Sequence, residues 1–230
     1  MKKTALIFLC IVVLCFCACV RENPASDFEC IEENEGLMIF RYVGEKKDVR
    51  IPEKINGKPV TTVGHGSFSD NGIKSVVFPG TVTFIGNSAF NKNKLKKIII
   101  PDSVTYIGYW SFDENRIKSL KIGNSVTYIA GGAFSNNKIK NVNIPDSVTS
   151  FGDAAFGRNL LTGVNIGNSV MTIGAWAFAE NQLTNVFIPD SVISLGIYAF
   201  TGNKITGVSV PSSLFIEEES FDSDVNITRR

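Results

Sequence analysis

The 230-residue chain is 44% hydrophobic and 20% charged, with 23 Lys+Arg against 22 Asp+Glu, so it can bury a core and is not a disordered polyelectrolyte. Its near-neutral balance argues against a general nucleic-acid binder, which carries a basic excess. One histidine, His65, leaves almost no room for a His-based catalytic site or a His-rich metal site.

The chain opens on Lys2 and Lys3 and then runs apolar and uncharged from Ala5 to Val20. That stretch is short for a spanning helix and reads as a secretory signal. Four of the five cysteines (Cys10, Cys15, Cys17, Cys19) fall inside it, so no disulfide framework is expected. Cys19 follows Phe16-Cys17-Ala18 and precedes a polar stretch, which resembles a bacterial lipobox with an acylated cysteine as the new N-terminus. Cleavage to a soluble secreted form is the alternative. An acyl chain would hold the domain at a membrane, since each buried methylene contributes ~0.8 kcal/mol. Cys30 remains as a thiol that packs as a small hydrophobe.

From Phe68 onward the sequence repeats. Phenylalanines recur at 68, 90, 112, 134, 156, 178 and 200, each followed three residues later by an asparagine: Asn71, Asn93, Asn115, Asn137, Asn159, Asn181 and Asn203. Apolar residues follow in fixed phase, as in Ile117, Leu120 and Ile122. The spacing of two in the last pair is the strand period, so each unit is expected to hold a short strand there. Pro-Asp-Ser or Gly-Asn-Ser then makes a turn, and Pro101, Gly123, Pro145, Gly167 and Pro189 alternate with a 44-residue super-period, which reads as duplication of a two-repeat unit. A small-residue stretch such as Ile107-Gly108 to Ser111-Phe112 is expected to form a tight helical turn. The asparagine amide is placed to bond the backbone of adjacent coils. No unit can bury its apolar face alone, so the coils must stack.

Segments such as Ile100-Pro101-Asp102-Ser103-Val104-Thr105-Tyr106-Ile107-Gly108 and Ala133-Phe134-Ser135-Asn136-Asn137-Lys138-Ile139 resemble the leucine-rich repeat of the BspA-like (treponemal-type) class, over residues 37 to 221. A cysteine is common in that family where these coils carry asparagine. The resemblance implies a right-handed, curved leucine-rich-repeat solenoid of short parallel strands with turn or short-helix returns, about seven 22-residue coils plus caps. It also implies a monomeric, surface-anchored adhesin for host matrix proteins, host cells or other bacteria. An envelope scaffold that binds a bacterial partner protein is the second reading. The expected organisation is a signal over 1–18, a tether over 19–27, an N-terminal cap and irregular first coil over 28–59, repeats over 60–210, and a C-terminal partial repeat or cap over 211–230.

No catalytic constellation stands out. Asp102, Asp146 and Asp190 recur in phase as turn residues, and there is no nucleophile elbow, phosphate loop or CxxC pair. The reading is therefore no enzyme, no cofactor, no metal and no nucleic acid, with the membrane reached only through the lipid.

Function must then lie in the residues that the repeat leaves free. Lys74, Lys94, Lys96, Lys97, Arg116, Lys118, Lys121, Lys138 and Lys140 place nine basic and no acidic residues in the first four strand segments, whereas the last three hold only Lys204. Neighbouring charges at ~5 Å repel by ~0.8 kcal/mol in water, a cost that a protein with an acidic patch or an anionic polysaccharide would relieve. The same coils carry Phe84, Tyr106 and Tyr128 where later coils have Ser150, Thr172 and Ser194. The basic band, together with Tyr106 and Tyr128, is the expected ligand face. Trp110, Trp176 and Tyr198 share one register, and packing at the core edge is the expectation for each.

Overall fold

The asparagine amides close the coils. In a computed structural model that describes residues 22–230, Asn137 Oδ1 accepts the N–H of Ile117 from the preceding coil at 3.0 Å. Its Nδ2 donates to Phe112 O of that coil and to Phe134 O and Ser135 O of its own. Asn93, Asn115, Asn159 and Asn181 repeat this pattern, each buried. Asn71 heads the series and donates only locally, to Ser69 O. The expected signal segment over 1–18 and Cys19 lie outside the described residues.

Beneath this ladder runs a spine of rings. Tyr42, Phe68, Phe90, Phe112, Phe134, Phe156, Phe178, Phe200 and Phe221 stack face to face with centroids 4.7–5.5 Å apart. That spacing sits close to the strand separation in a sheet, so one buried ring per coil fixes the rise. The spine counts nine coils. The sheet agrees: Gly36–Tyr42 begins a parallel series that ends at Phe215–Ile216. Seven coils plus caps were expected; both cap segments instead join the stack in register and bring the count to nine.

Most coils carry two strand segments, and they behave differently. The continuous sheet is built from the two-residue strands Phe84–Ile85, Tyr106–Ile107, Tyr128–Ile129, Ser150–Phe151, Thr172–Ile173 and Ser194–Leu195. The segment singled out by apolar spacing forms only isolated two-stranded ladders: Asp48–Arg50 with Ser75–Val77, Lys97–Ile99 with Ser119–Lys121, Asn141–Asn143 with Gly163–Asn165, and Gly207–Val210 with Asn226–Arg229.

The two central ladders explain the 44-residue super-period. Each pairs a Pro coil with the Gly coil after it. A Cβ at Gly123 or Gly167 would collide with the carbonyl of Pro101 or Pro145, so the second member must be glycine. The next backbone N–H, of Asn124 or Asn168, then donates to the carboxylate of Asp102 or Asp146 at 2.8 and 2.7 Å. Asp190 has no Gly-Asn coil after it, and its carboxylate pairs with Arg230 instead.

The returns are turns rather than short helices. Residues two before and two after each phenylalanine are left-handed, as Trp110 and Glu114 (both φ 52°) show around Phe112. A left-handed residue breaks the right-handed helical path. At the N-terminal side the extra residues between Pro52 and Val60 form a hairpin, Lys54–Ile55 against Lys58–Val63, with Asn56 and Gly57 at φ 51° and 80°, the signature of a tight two-residue turn. Phe28–Glu33 adds a second antiparallel pairing, at the edge of the sheet, against Gly36–Tyr42. Cys30 is half-buried there and in no disulfide, and burial pushes its thiol up.

Replacing Asn137 with Ala strands buried backbone groups in two coils, at about 1–3 kcal/mol for each unsatisfied group. Asn71→Ala removes one local bond and is expected to cost under about 1 kcal/mol. Urea unfolding of the two variants should show a large drop in midpoint for Asn137→Ala and a small one for Asn71→Ala.

Candidate binding face

The lysines stand beside the interrupted ladders, not on the continuous sheet. Lys97 and Lys121 lie within the strands Lys97–Ile99 and Ser119–Lys121; Lys74, Lys96, Lys118 and Lys140 immediately precede or lead into strands of that series. The apolar residues on either side (Ile73, Val76; Leu95, Ile98) point into the core, and this inward anchoring turns the basic side chains outward. All nine basic residues of the band are exposed, and none of them is in an ion pair among the described residues.

Part of the band converges. Lys74, Lys94, Lys96 and Arg116, from three consecutive coils, line one hollow of about 340 Å³. Asp48 is its single acidic member, and its carboxylate already accepts a hydrogen bond from Ser75 Oγ at 2.6 Å. Lys97, Lys118, Lys121, Lys138 and Lys140 lie outside this hollow. Lys97 instead borders a neighbouring apolar hollow of about 330 Å³ with Val77, Phe78 and Ile99. This second hollow sits over the seam where Ser75–Val77 and Lys97–Ile99 belong to different ladders. Val77 and Ile99 are 42% and 48% exposed there. The chain order alone did not show this seam, because its cause is the pairwise grouping of the ladders.

Tyr106 and Tyr128 are on the continuous sheet, paired in register with each other and with Phe84. Their rings stack at 4.9 Å (Phe84 to Tyr106) and 5.8 Å (Tyr106 to Tyr128). The structure therefore separates the two halves of the expected ligand face: basic side chains by the ladders, aromatic ones on the sheet. Burial chiefly, with the neighbouring Tyr109 hydroxyl, Tyr106 and Asp153, pushes the Tyr128 phenol up to about 12. Trp110 and Trp176 do not pack at the core edge as expected; their rings are about half exposed. His65 accepts the Asn87 N–H at Nδ1 and so serves a turn. Among the described residues, no cluster of three potential metal ligands forms.

A sequence model of the BspA type Leucine rich repeat region matches the chain in 6 copies, over residues 38–162 and 155–229. No curated protein matches the sequence. Among solved structures, a T. pallidum leucine-rich repeat protein is 18% identical, with 90% of this chain and 86% of that chain covered and a TM-score of 0.43. A leucine-rich repeat protein from Eubacterium ventriosum is 16% identical, at 88% and 82% coverage and a TM-score of 0.44. A leucine rich cell surface protein from Faecalibacterium prausnitzii is 15% identical, at 88% and 93% coverage and a TM-score of 0.31.

The raised phenol of Tyr128 has a direct readout. A folded tyrosine that keeps its proton past the ordinary value of about 10 favours folding only while the proton is held, so its contribution is present at neutral pH and fades as pH rises from about 10 through about 12. Phenolate absorbance should show a last-ionising component near pH 12, and Tyr128→Phe should remove it.

Proposed function

The chain belongs to the BspA-type leucine-rich repeat family, and from that premise we propose that it is a surface-anchored binding protein: an adhesin for host extracellular-matrix proteins, host cells or other bacteria. The observation that carries this reading is the hollow in which Lys74, Lys94, Lys96 and Arg116 converge with no ion-paired partner. Four like charges from three stacked coils, spaced ~4.7–4.9 Å per coil, hold a positive potential that an acidic protein segment would neutralise. Such fields speed encounter and select partners by sign.

The apolar seam next to it strengthens the case for a protein ligand. Val77, Ile99 and Phe78 offer a place for an apolar anchor beside the cations, and interfaces draw most of their affinity from such central buried contacts. An acidic segment with one or two apolar side chains fits both hollows together. Acylation of Cys19 would keep this face near the cell surface, with residues 20–27 as the tether, and the protein acting as a monomer. The organisation follows the repeat: cap over 28–59, binding coils over 60–210, closing cap over 211–230.

Immobilised fibronectin, fibrinogen and heparin test the proposal. Binding should fall as salt rises and should be lost in the quadruple variant Lys74→Glu, Lys94→Glu, Lys96→Glu, Arg116→Glu, whose unfolding midpoint stays at the parent value because all four side chains are exposed. Undiminished binding by the folded variant rejects the basic band as the ligand face.

A further inference from the structure

The turn register two residues before each repeat phenylalanine reads Gly66, Ser88, Trp110, Gly132, Ala154, Trp176 and Tyr198, and its backbone is left-handed in every coil, with φ between 52° and 65°. Glycine adopts that conformation freely, whereas a bulky residue there is strained. Yet both tryptophans of the chain occupy it. Trp110 and Trp176 are 54% and 47% exposed, so burial in the core does not offset the strain. Strained positions of this kind cluster at functional sites.

The following coil is shaped to receive the first pair of rings. A Cβ on Gly131 would lie 3.3 Å from the Tyr109 ring, and one on Gly132 would run into the Trp110 indole. Tyr109 and Trp110, with centroids 5.8 Å apart, therefore rest over this Gly-Gly pair. Next to them opens a hollow of about 430 Å³ that Tyr128, Asp153 and Ala154 also line. Ala154 borders a further hollow, of about 240 Å³, lined by Trp176, and Trp176 is backed by the stacked ring of Tyr198 at 5.3 Å. The two hollows make a trough three coil steps long, about 14 Å.

Its polar groups are also set apart by the repeat. One register earlier, side chains accept the N–H of the next coil: Asn87 N–H donates to His65, Tyr109 N–H to Asn87, and Ala175 N–H to Asp153, at 2.8–3.0 Å. Tyr109 and Gly131 offer no such acceptor. The N–H groups of Gly131 and Asp153 consequently have no partner among the described residues. Arg158 and Glu180, beside Trp176, neutralise each other at 3.2 Å. Among the described residues the trough thus has flat aromatic faces, phenol hydroxyls, one carboxylate outside an ion pair and unpaired backbone donors, and no unpaired cation.

We propose that this trough is a binding site for a neutral oligosaccharide. A pyranose has an apolar C–H face that lies flat on an aromatic ring and a rim of hydroxyls that both donate and accept. Trp110 and Trp176 would stack against two sugar rings of one chain, with Asp153 and the free N–H groups bonding the hydroxyls between them. The site is independent of the basic band, whose ligand is anionic.

The chain has two tryptophans, both on the trough, so intrinsic fluorescence reports this site alone. The purified protein is titrated with uncharged oligosaccharides of glucose, xylose, mannose and N-acetylglucosamine. The expected result is a saturable blue shift with at least one of them, confirmed by calorimetry. Trp110→Gly and Trp176→Gly should each weaken that binding by roughly tenfold or more, while unfolding midpoints hold or rise, because glycine suits the left-handed backbone. Heparin retention by the same variants should stay at the parent level, which separates failure here from failure of the basic hollow. Absence of any response to the whole panel would overturn the proposal. Saccharide binding that survives both substitutions, or tryptophans shielded only by a protein ligand, would also overturn it.

Discussion

The repeats of this solenoid depend on one amide per coil, from Asn93 to Asn203. A coil of 22 residues must reverse direction several times, and its turn after the phenylalanine leaves buried backbone groups with no sheet partner. The asparagine three residues on resolves this by accepting from the preceding coil and donating to both. An amide can do so because it carries both an acceptor and two donors on one planar group. Neither leucine nor aspartate could fill the same place without leaving groups unpaired. Once that bridge is set, the adjacent phenylalanine falls on the one below it, and the register of every other residue follows. Surface side chains at one position then form columns, so a single residue type repeated over a few coils becomes a continuous stripe.

Features that use one residue per coil were legible in the sequence. The phenylalanine spine, the asparagine ladder and the lysine column each recur at one spacing with one chemistry, and the family resemblance added the fold. Which of two strand segments carries the continuous sheet was not legible. Ile98 and Ile100 show the clearer alternation, yet the strand that holds Ile98 pairs with one neighbour only. The two-residue strand Tyr106–Ile107 is too short to show a period, and it runs unbroken through the stack. The difference comes from contacts between coils: Gly123 lies against the Pro101 carbonyl, and that closeness groups the ladders in pairs. The left-handed residues after each phenylalanine were equally silent, because Asp70, Lys92, Glu114, Asn136 and Arg158 are polar like other exposed positions and otherwise range from acid to amide to base. Only backbone geometry defines that position.

The candidate site was legible as charge and illegible as shape. Nine basic residues in four segments can be counted along the chain, but the sequence does not say that Lys94 and Arg116 come to line one hollow while Lys138 and Lys140 do not. Likewise Tyr106 and Tyr128 fall in the same coils as the lysines, and in a solenoid the same coil has several sides. Proximity in sequence placed them together; the path of the coil separates them.

The switch from lysine to threonine along one register shows what the basic column forgoes. Thr162 occupies the position of Lys140 one coil later, and its hydroxyl donates to Lys140 O at 3.3 Å. A lysine has no such donor close to its backbone, so a lysine in place of Thr162 would give up that inter-coil bond, about 0.5–1.5 kcal/mol, and each lysine of the column adds repulsion from its neighbours. Solubility alone does not call for this arrangement, since alternating signs on adjacent coils, as in Arg158 and Glu180, keep a surface charged without repulsion. The same trade recurs at Trp110 and Trp176, where glycine would relax the backbone. In both registers the stack tolerates a local cost that its own packing does not repay, and in both the side chain concerned faces solvent. A rigid array whose core is uniform can hold such costs in a few coils, because each is confined to its neighbours.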